Sequence, residues 1–141
     1  MKDGHFLHLC GHDLDIDIIL VEYQYPIFFT CIDEEENMYI ATCFYVDSEK
    51  KRYLVARTSP SIIKECLVNR RTIRDIFGSN DKTVYVVTFL KGKDEPTIGM
   101  AAVSEIDQCG LPTAGIYMDA EEDEFSSEIS ILDARIKRTN V

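Results

Sequence analysis

The sequence predicts an α+β fold: a mostly antiparallel sheet of five or six strands, with two short helices at about 59–69 and 72–77 packed on one face. Three observations carry this. Between residues 16 and 57, short runs rich in β-branched and aromatic residues alternate with polar turns, the spacing of an antiparallel meander. At Ser59-Pro60 the apolar period changes from strand-like to helical. Beyond it, Thr83–Leu90 is apolar on both sides of an extended chain, as suits a central strand with both faces covered.

Taken in order, residues 16–25 read as the first strand, and Asp13, Asp15 and Asp17 share one face if the extended conformation begins early. Pro26 cannot donate to a ladder and interrupts this strand, so residues 27–32 begin a second strand or the far side of a bulge. The acidic cluster 33–37 is a turn, Met38–Val46 the next strand, residues 47–51 another turn and residues 53–57 a further strand. Ser59 suits a helix cap and Pro60 the first helical position, and Ile62, Ile63, Cys66 and Leu67 form an apolar stripe. Thr72-Ile73-Arg74-Asp75 has the form of a capping box, Ile73, Ile76 and Phe77 share a face, and Gly78 is placed to stop a second helix. After Thr83–Leu90 the signals weaken. Gly92, Pro96 and Gly99 break the chain, residues 104–109 fit one helical turn, and residues 114–118 fit a last strand. Residues 119–124 read as a solvated acidic loop, and residues 129–138 as strand or helix.

At this length residues 1–141 make a single domain able to bury a real core, with residues 1–13 expected as a mobile N-terminal segment. No apolar run approaches the roughly 18 residues of a membrane span, and His8, Cys10 and His12 break the N-terminal stretch before it resembles an export signal. A cytoplasmic location is expected. The five cysteines are odd in number, widely spaced and without a C-x-x-C pair, so thiols in a reducing compartment are expected. The formal net charge is −10, and it is unevenly placed. Residues 1–36 hold nine Asp/Glu against Lys2 and residues 109–141 hold seven against three bases, whereas residues 37–82 hold nine bases against five acids. Field sign of this kind bears on partners and solubility rather than on fold.

The aromatic opening Tyr23-Gln24-Tyr25-Pro26-Ile27-Phe28-Phe29, the acidic turn, Ser59-Pro60 and the string Arg71-Thr72-Ile73-Arg74-Asp75-Ile76-Phe77 carry a resemblance. Residues 21–77, about forty per cent of the chain, resemble a family of small bacterial and phage proteins of unknown function. The resemblance implies a compact α+β domain and supplies no catalytic residues.

Candidate chemistry is sparse. His5, His8, Cys10 and His12 are zinc-type ligands, but their spacing matches no common finger, and no metal or cofactor is assigned. Asp13, Asp15 and Asp17 fail the calcium-loop pattern, because Ile18 and Gln24 stand where it needs Gly and Glu. No nucleophile elbow and no phosphate-cradling Gly-rich loop is present, so no catalytic residue is assigned and a non-enzymatic role is expected. Arg70, Arg71 and Arg74, at the start of the second helix, form an alternative anion site, with pairing to the protein's own acidic turns as the competing account. A net charge of −10 argues against direct nucleic-acid binding.

The sequence-level expectation is therefore an intracellular binding protein whose carboxylates engage a basic protein partner. Its most concrete form is an immunity or antitoxin-like inhibitor of a nucleic-acid-cleaving toxin, gaining on-rate from charge complementarity. The expected contacts are Asp33, Glu34, Glu35 and Glu36, then Asp119, Glu121, Glu122, Asp123 and Glu124. The alternative is a small-ligand or anion-binding sensor, or an enzyme, with a pocket between sheet and helices.

Overall fold

The computed structural model describes residues 5–77, 83–102 and 118–139. Its frame is one antiparallel sheet whose seven strands lie in space in their order along the chain. These are β1 (Leu7–Leu9), β2 (His12–Tyr23), β3 (Tyr25–Ile32), β4 (Met38–Val46), β5 (Lys50–Arg57), β6 (Thr83–Leu90) and β7 (Thr97–Ala102). Two helices accompany the sheet, α1 (Pro60–Leu67) and α2 (Ser126–Thr139), with a 3₁₀ turn at Asp75–Phe77. The α+β expectation of five or six strands is thereby corrected to a mostly-β fold, a curled seven-stranded half-barrel with two helices.

Particular residues account for the difference. Of residues 1–13, expected as a mobile segment, the described part supplies β1 and the start of β2: Leu7, Leu9 and the following Leu14 are buried, and the chain reverses at Cys10-Gly11, both at positive φ. Pro26 lies inside β3, and the reversal falls instead at Gln24, where φ is 64°. β7 contains Gly99 and follows Pro96, residues that read as breakers. Among the described residues it is an edge strand paired only with β6, where a missing side chain costs little packing. The helix expected at 72–77 contracts to Asp75–Phe77; Thr72 Oγ1 does accept the Asp75 N–H at 3.2 Å, but only a single turn follows. The undecided residues 129–138 belong to α2, with Lys137 and Arg138 in its last turn, where cations oppose the helix dipole. The features expected at 104–109 and 114–117 lie outside the described residues.

Side chains of a strand alternate between faces, so a sheet apolar on both sides needs two covers. On one face Ile40, Leu54 and Val84 pack with Ile63 and Leu67 of α1, with Ile76 and Phe77, and with Leu132 of α2. On the other, Phe29, Tyr53, Val55 and Val87 pack with Phe6, Leu7 and Leu9 from the N-terminal segment. In a flat sheet, five strand spacings of about 4.8 Å would hold β1 about 24 Å from β6. Yet the rings of Phe6, next to β1, and Phe89, in β6, have centroids 5.6 Å apart. The sheet has curled until its first edge meets its sixth strand, and the face carrying Phe6 is the inside of the curl. Phe6 also meets Phe29 and Tyr53 edge-on at 5.1 and 5.5 Å, contacts that add about 0.5–1.5 kcal/mol each beyond burial.

β2 serves both cores. Leu14 is in the inner one, whereas Ile18 and Leu20, an even number of residues further on, are in the outer one. A regular strand would keep all three on one side. The register shift between Ile16 and Ile19 inserts the residue that makes the exchange. There the Ile18 N–H donates to Oγ1 of the fully buried Thr30 at 3.1 Å, and the Thr30 hydroxyl donates to Asp17 Oδ2 at 3.3 Å.

Thr30→Val keeps the side-chain shape while removing the acceptor for a buried amide. We expect chemical denaturation to show a loss of about 1–3 kcal/mol, the cost of an unsatisfied buried donor. Wild-type stability would mean that the bulge amide has another partner.

Candidate functional site

Where the ends of β3 and β5 meet the start of α1 and the last turns of α2, the packing leaves a cavity of about 330 Å³. Three arginines line it, Arg57, Arg135 and Arg138, with Asn37, Thr58, Ser59 and one carboxylate, Glu36. Each is positioned by a local rule. Ser59 is extended and caps α1, its Oγ accepting the Ile62 N–H at 3.3 Å, so the positive end of that helix opens at the cavity. Arg57 donates to Asn37 Oδ1 at 3.3 Å and lies over the Tyr39 ring, 5.4 Å from its centroid. Arg135 and Arg138 stand three residues apart on one side of α2.

The three cations are not equivalent. Arg135 grips Asp17 with two nitrogens, at 2.5 and 2.9 Å, and both side chains are largely buried. The Asp17 hydrogen bond raises the Arg135 pKa, so this arginine stays charged and its charge is answered. Arg138 is two-thirds exposed and lies 3.9 Å from Glu36, itself exposed. Thr58 is 5% exposed, and its hydroxyl is buried with no hydrogen-bond partner among the described residues. The lining thus joins two cations, Arg57 and Arg138, to the Ser59 hydroxyl and to a Thr58 hydroxyl with no partner among the described residues. Such a set suits an oxyanion, which accepts from all of them.

The acidic residues named from the sequence fall in two places. Asp33 is buried and closes the β3–β4 turn: its Oδ1 accepts the N–H groups of Glu35 and Asn37 at 2.9 and 2.8 Å, and its Oδ2 the Asn37 amide at 3.1 Å. Burial pushes its pKa up, and the bonds from Asn37 and Glu35 outweigh that and hold it below the ordinary value. Glu34 accepts from His12 at 2.5 Å and from the Asp13 N–H at 3.2 Å, while Glu35 lies 3.6 Å from the other nitrogen of the same ring. Asp119, Glu121, Glu122, Asp123 and Glu124 are exposed ahead of α2, with Ala120 tied by two 2.9 Å bonds to Asn69. Glu36 lies near the last turn of α2 and this run precedes the first, so a 14-residue helix, about 21 Å long, separates the two groups. They do not form one continuous patch.

The histidines also disperse onto carboxylates. His5 pairs with Asp15 at 2.5 Å, His8 with Asp13 at 2.8 Å, and His12 with Glu34 and Glu35. His12, Glu34 and Glu35 are close enough to share a cation, but both ring nitrogens of His12 already face carboxylates. Asp17, the third aspartate of the β2 face, is taken by Arg135. The arginines proposed as an anion site do not converge on a helix: Arg71 is held by Glu65 of α1, Arg70 is exposed, and Arg74 precedes a 3₁₀ turn too short to carry a helix dipole. Sequence reasoning passed over Arg57, Arg135, Arg138 and Thr58. A helical reading of 129–138 would have put two of those arginines on one face.

Comparisons of the chain with protein-family models, with curated proteins and with solved structures find no match. The resemblance of residues 21–77 to small bacterial and phage proteins therefore rests on those residues alone. Among the described residues, no helix is long and apolar enough to cross a membrane.

The hydrogen bond to Glu34 raises the His12 pKa, and bonds from His12 and His8 lower those of Glu34 and Asp13. A raised imidazole stabilises fully below its ordinary value of about 6.5 and loses that as pH rises through the shifted one; depressed carboxylates lose theirs as pH falls. The N-terminal segment should therefore be held best in mildly acidic solution, between the two ranges. In an NMR titration His12 should titrate above 6.5, and Glu34→Gln should bring it down; a His12 value that ignores Glu34→Gln would contradict the pairing.

Proposed function

We propose that this chain is a binding protein for a small ligand carrying a phosphate, sulfate or carboxylate group, held in the cavity between sheet and helices. The observation that carries the reading is local charge reversal: in a protein of net charge −10, three arginines and one glutamate line a cavity that also holds a buried hydroxyl with no partner among the described residues. Arg57 and Arg138 supply charge-assisted hydrogen bonds, and the hydroxyls of Thr58 and Ser59 supply neutral donors. Arg135 positions α2 and leaves its own charge on Asp17. Binding is favoured over catalysis, because the lining carries a single carboxylate, Glu36, and no His, Cys, Lys or Tyr side chain. A cytoplasmic setting agrees with Cys31 and Cys66, which lie buried on opposite faces of the sheet; burial pushes both thiols up, Cys66 to about 11.

A second reading, engagement of a basic protein, keeps support from one place. Glu121, Glu122 and Asp123 are exposed and make no ion pair among the described residues. Neutralising these three should then slow association with a captured basic partner and weaken its salt dependence.

The first reading is tested by titrating the protein with inorganic phosphate and with sulfate, followed by NMR and calorimetry. We expect saturable binding that perturbs residues 57–61 and 135–138 and weakens with salt. Arg57→Met and Arg138→Met should each reduce affinity about tenfold, the scale of one hydrogen bond to a charged group. Saturable binding that is indifferent to both substitutions, or no binding at all, would overturn the reading.

A further inference from the structure

The opposite end of the half-barrel carries a second cavity, of about 410 Å³, whose chemistry is different. Its walls are the inner-face rings of Phe6, Tyr53 and Phe89 together with Leu90, and its rim is the turn residues Asp47 and Glu49 with Lys50, Lys51 and Lys91. The three rings contact one another pairwise, with centroids 5.5 to 5.8 Å apart. They therefore form a pre-built aromatic pocket where the curl opens. A cavity this size, mostly apolar with a few polar groups at its edge and placed at the mouth of a curled sheet, has the form of a small-molecule site.

The rim decides what kind of molecule. Lys51 Nζ lies 4.1 Å from the centroid of the Tyr25 ring and Lys50 Nζ 5.3 Å from that of Tyr45. Neither they nor Lys91 makes an ion pair among the described residues. The Asp47 carboxylate is occupied within its own turn, its Oδ1 accepting the N–H groups of Glu49 and Lys50 at 2.8 and 2.9 Å and its Oδ2 the Tyr45 hydroxyl at 2.7 Å. Three lysines thus face two carboxylates, one of them already engaged, in a chain that is strongly acidic elsewhere. Leu90, 39% exposed, lies opposite Lys50 at the rim.

We propose that this mouth binds a small apolar molecule bearing one negative charge, an aryl-substituted alkanoate being the class that fits. The ring or chain would lie against Phe6, Tyr53 and Phe89, and the carboxylate would reach Lys51 and Lys91. The site is separate from the arginine-lined cavity: the two occupy opposite ends of β5, Lys50 and Arg57 being about 23 Å apart along an extended strand. Its outcome is therefore independent of the oxyanion reading.

The probe is 4-phenylbutyrate, with 4-phenylbutanol as its uncharged counterpart, titrated into the full chain by NMR and calorimetry. We expect saturable binding of the acid that shifts the amides of Phe6, Tyr53, Phe89 and Leu90, and affinity for the alcohol about tenfold weaker, as the loss of a charge-assisted contact requires. The double variant Lys51→Met, Lys91→Met should lower the acid to the affinity of the alcohol while leaving the alcohol unchanged. Because Lys91 is exposed and Lys51 only part-buried, a thermal melt should show both variant and parent folded. Leu90→Glu should weaken both probes. Equal affinity for acid and alcohol, absence of saturable binding, or acid binding that inorganic phosphate displaces with shifts at Arg57 and Arg138 would each overturn the proposal.

Discussion

Asp17 sits where β2 changes sides, and much of the structure follows from how its carboxylate is held. Before it the strand feeds the inner core through Leu14, and after it the outer core through Ile18 and Leu20. The exchange leaves one residue outside the ladder and a carboxylate turned toward the helices, in a position from which water is largely excluded. Thr30 and Arg135 answer it. A carboxylate so placed is costly without a partner, on the order of 3–5 kcal/mol when one member of a buried pair is removed. The pair joins residues 118 positions apart and ties α2 to the far side of the sheet from β6. It also sets where Arg138, one turn further along the same helix, enters the cavity beside Arg57.

The inner core depends on the same curl from the other direction. A seven-stranded sheet with apolar residues on both faces cannot leave one face bare, and here the chain covers it with its own N-terminal residues, Phe6 to Leu9. That cover is fastened by short polar contacts outside it, from His5, His8 and His12 to Asp15, Asp13 and Glu34. A large part of the negative charge near the N-terminus is thus spent inside the molecule, on histidines, on turn amides and on Arg135. Among the described residues, Glu121, Glu122 and Asp123, before α2, make no ion pair. The two cavities, at opposite ends of the strands, are the places where cations outnumber the acids around them, which is why the small-ligand readings attach to them and not to the acidic runs.

Much of the sheet was legible because its signals are local. Met38–Val46 and Thr83–Leu90 are strands with the bounds that their β-branched and aromatic runs give, and Ser59-Pro60 starts α1 as its capping chemistry requires. The rest depended on distant partners. Leu7 and Leu9 pair with the start of β2 across Cys10-Gly11, but the core they fill is built by Phe29 and Tyr53, which lie far along the chain. Gly99 is tolerated because β7 is an edge, and the capping box at Thr72 yields only a turn because Ile76 and Phe77 are drawn into the outer core at once. Within the acidic turn, Asp33 looks like surface charge in sequence and is a buried cap in the fold, whereas Glu34, Glu35 and Glu36 are exposed. Arg57 and Arg138 could not be paired by sequence, since what brings them together is the cavity that the end of β5 and the last turns of α2 both line.

A double-mutant cycle on Asp17 and Arg135 tests the central claim most directly. Unfolding free energies of Asp17→Asn, Arg135→Met and the double variant, measured by chemical denaturation, isolate the energy the two residues share. The account predicts that each single change is strongly destabilising and that the double change costs less than their sum, with a coupling of about 1–3 kcal/mol. Additivity within about 0.5 kcal/mol would show that the two groups do not depend on each other, and would contradict the account of how β2 holds α2 in place.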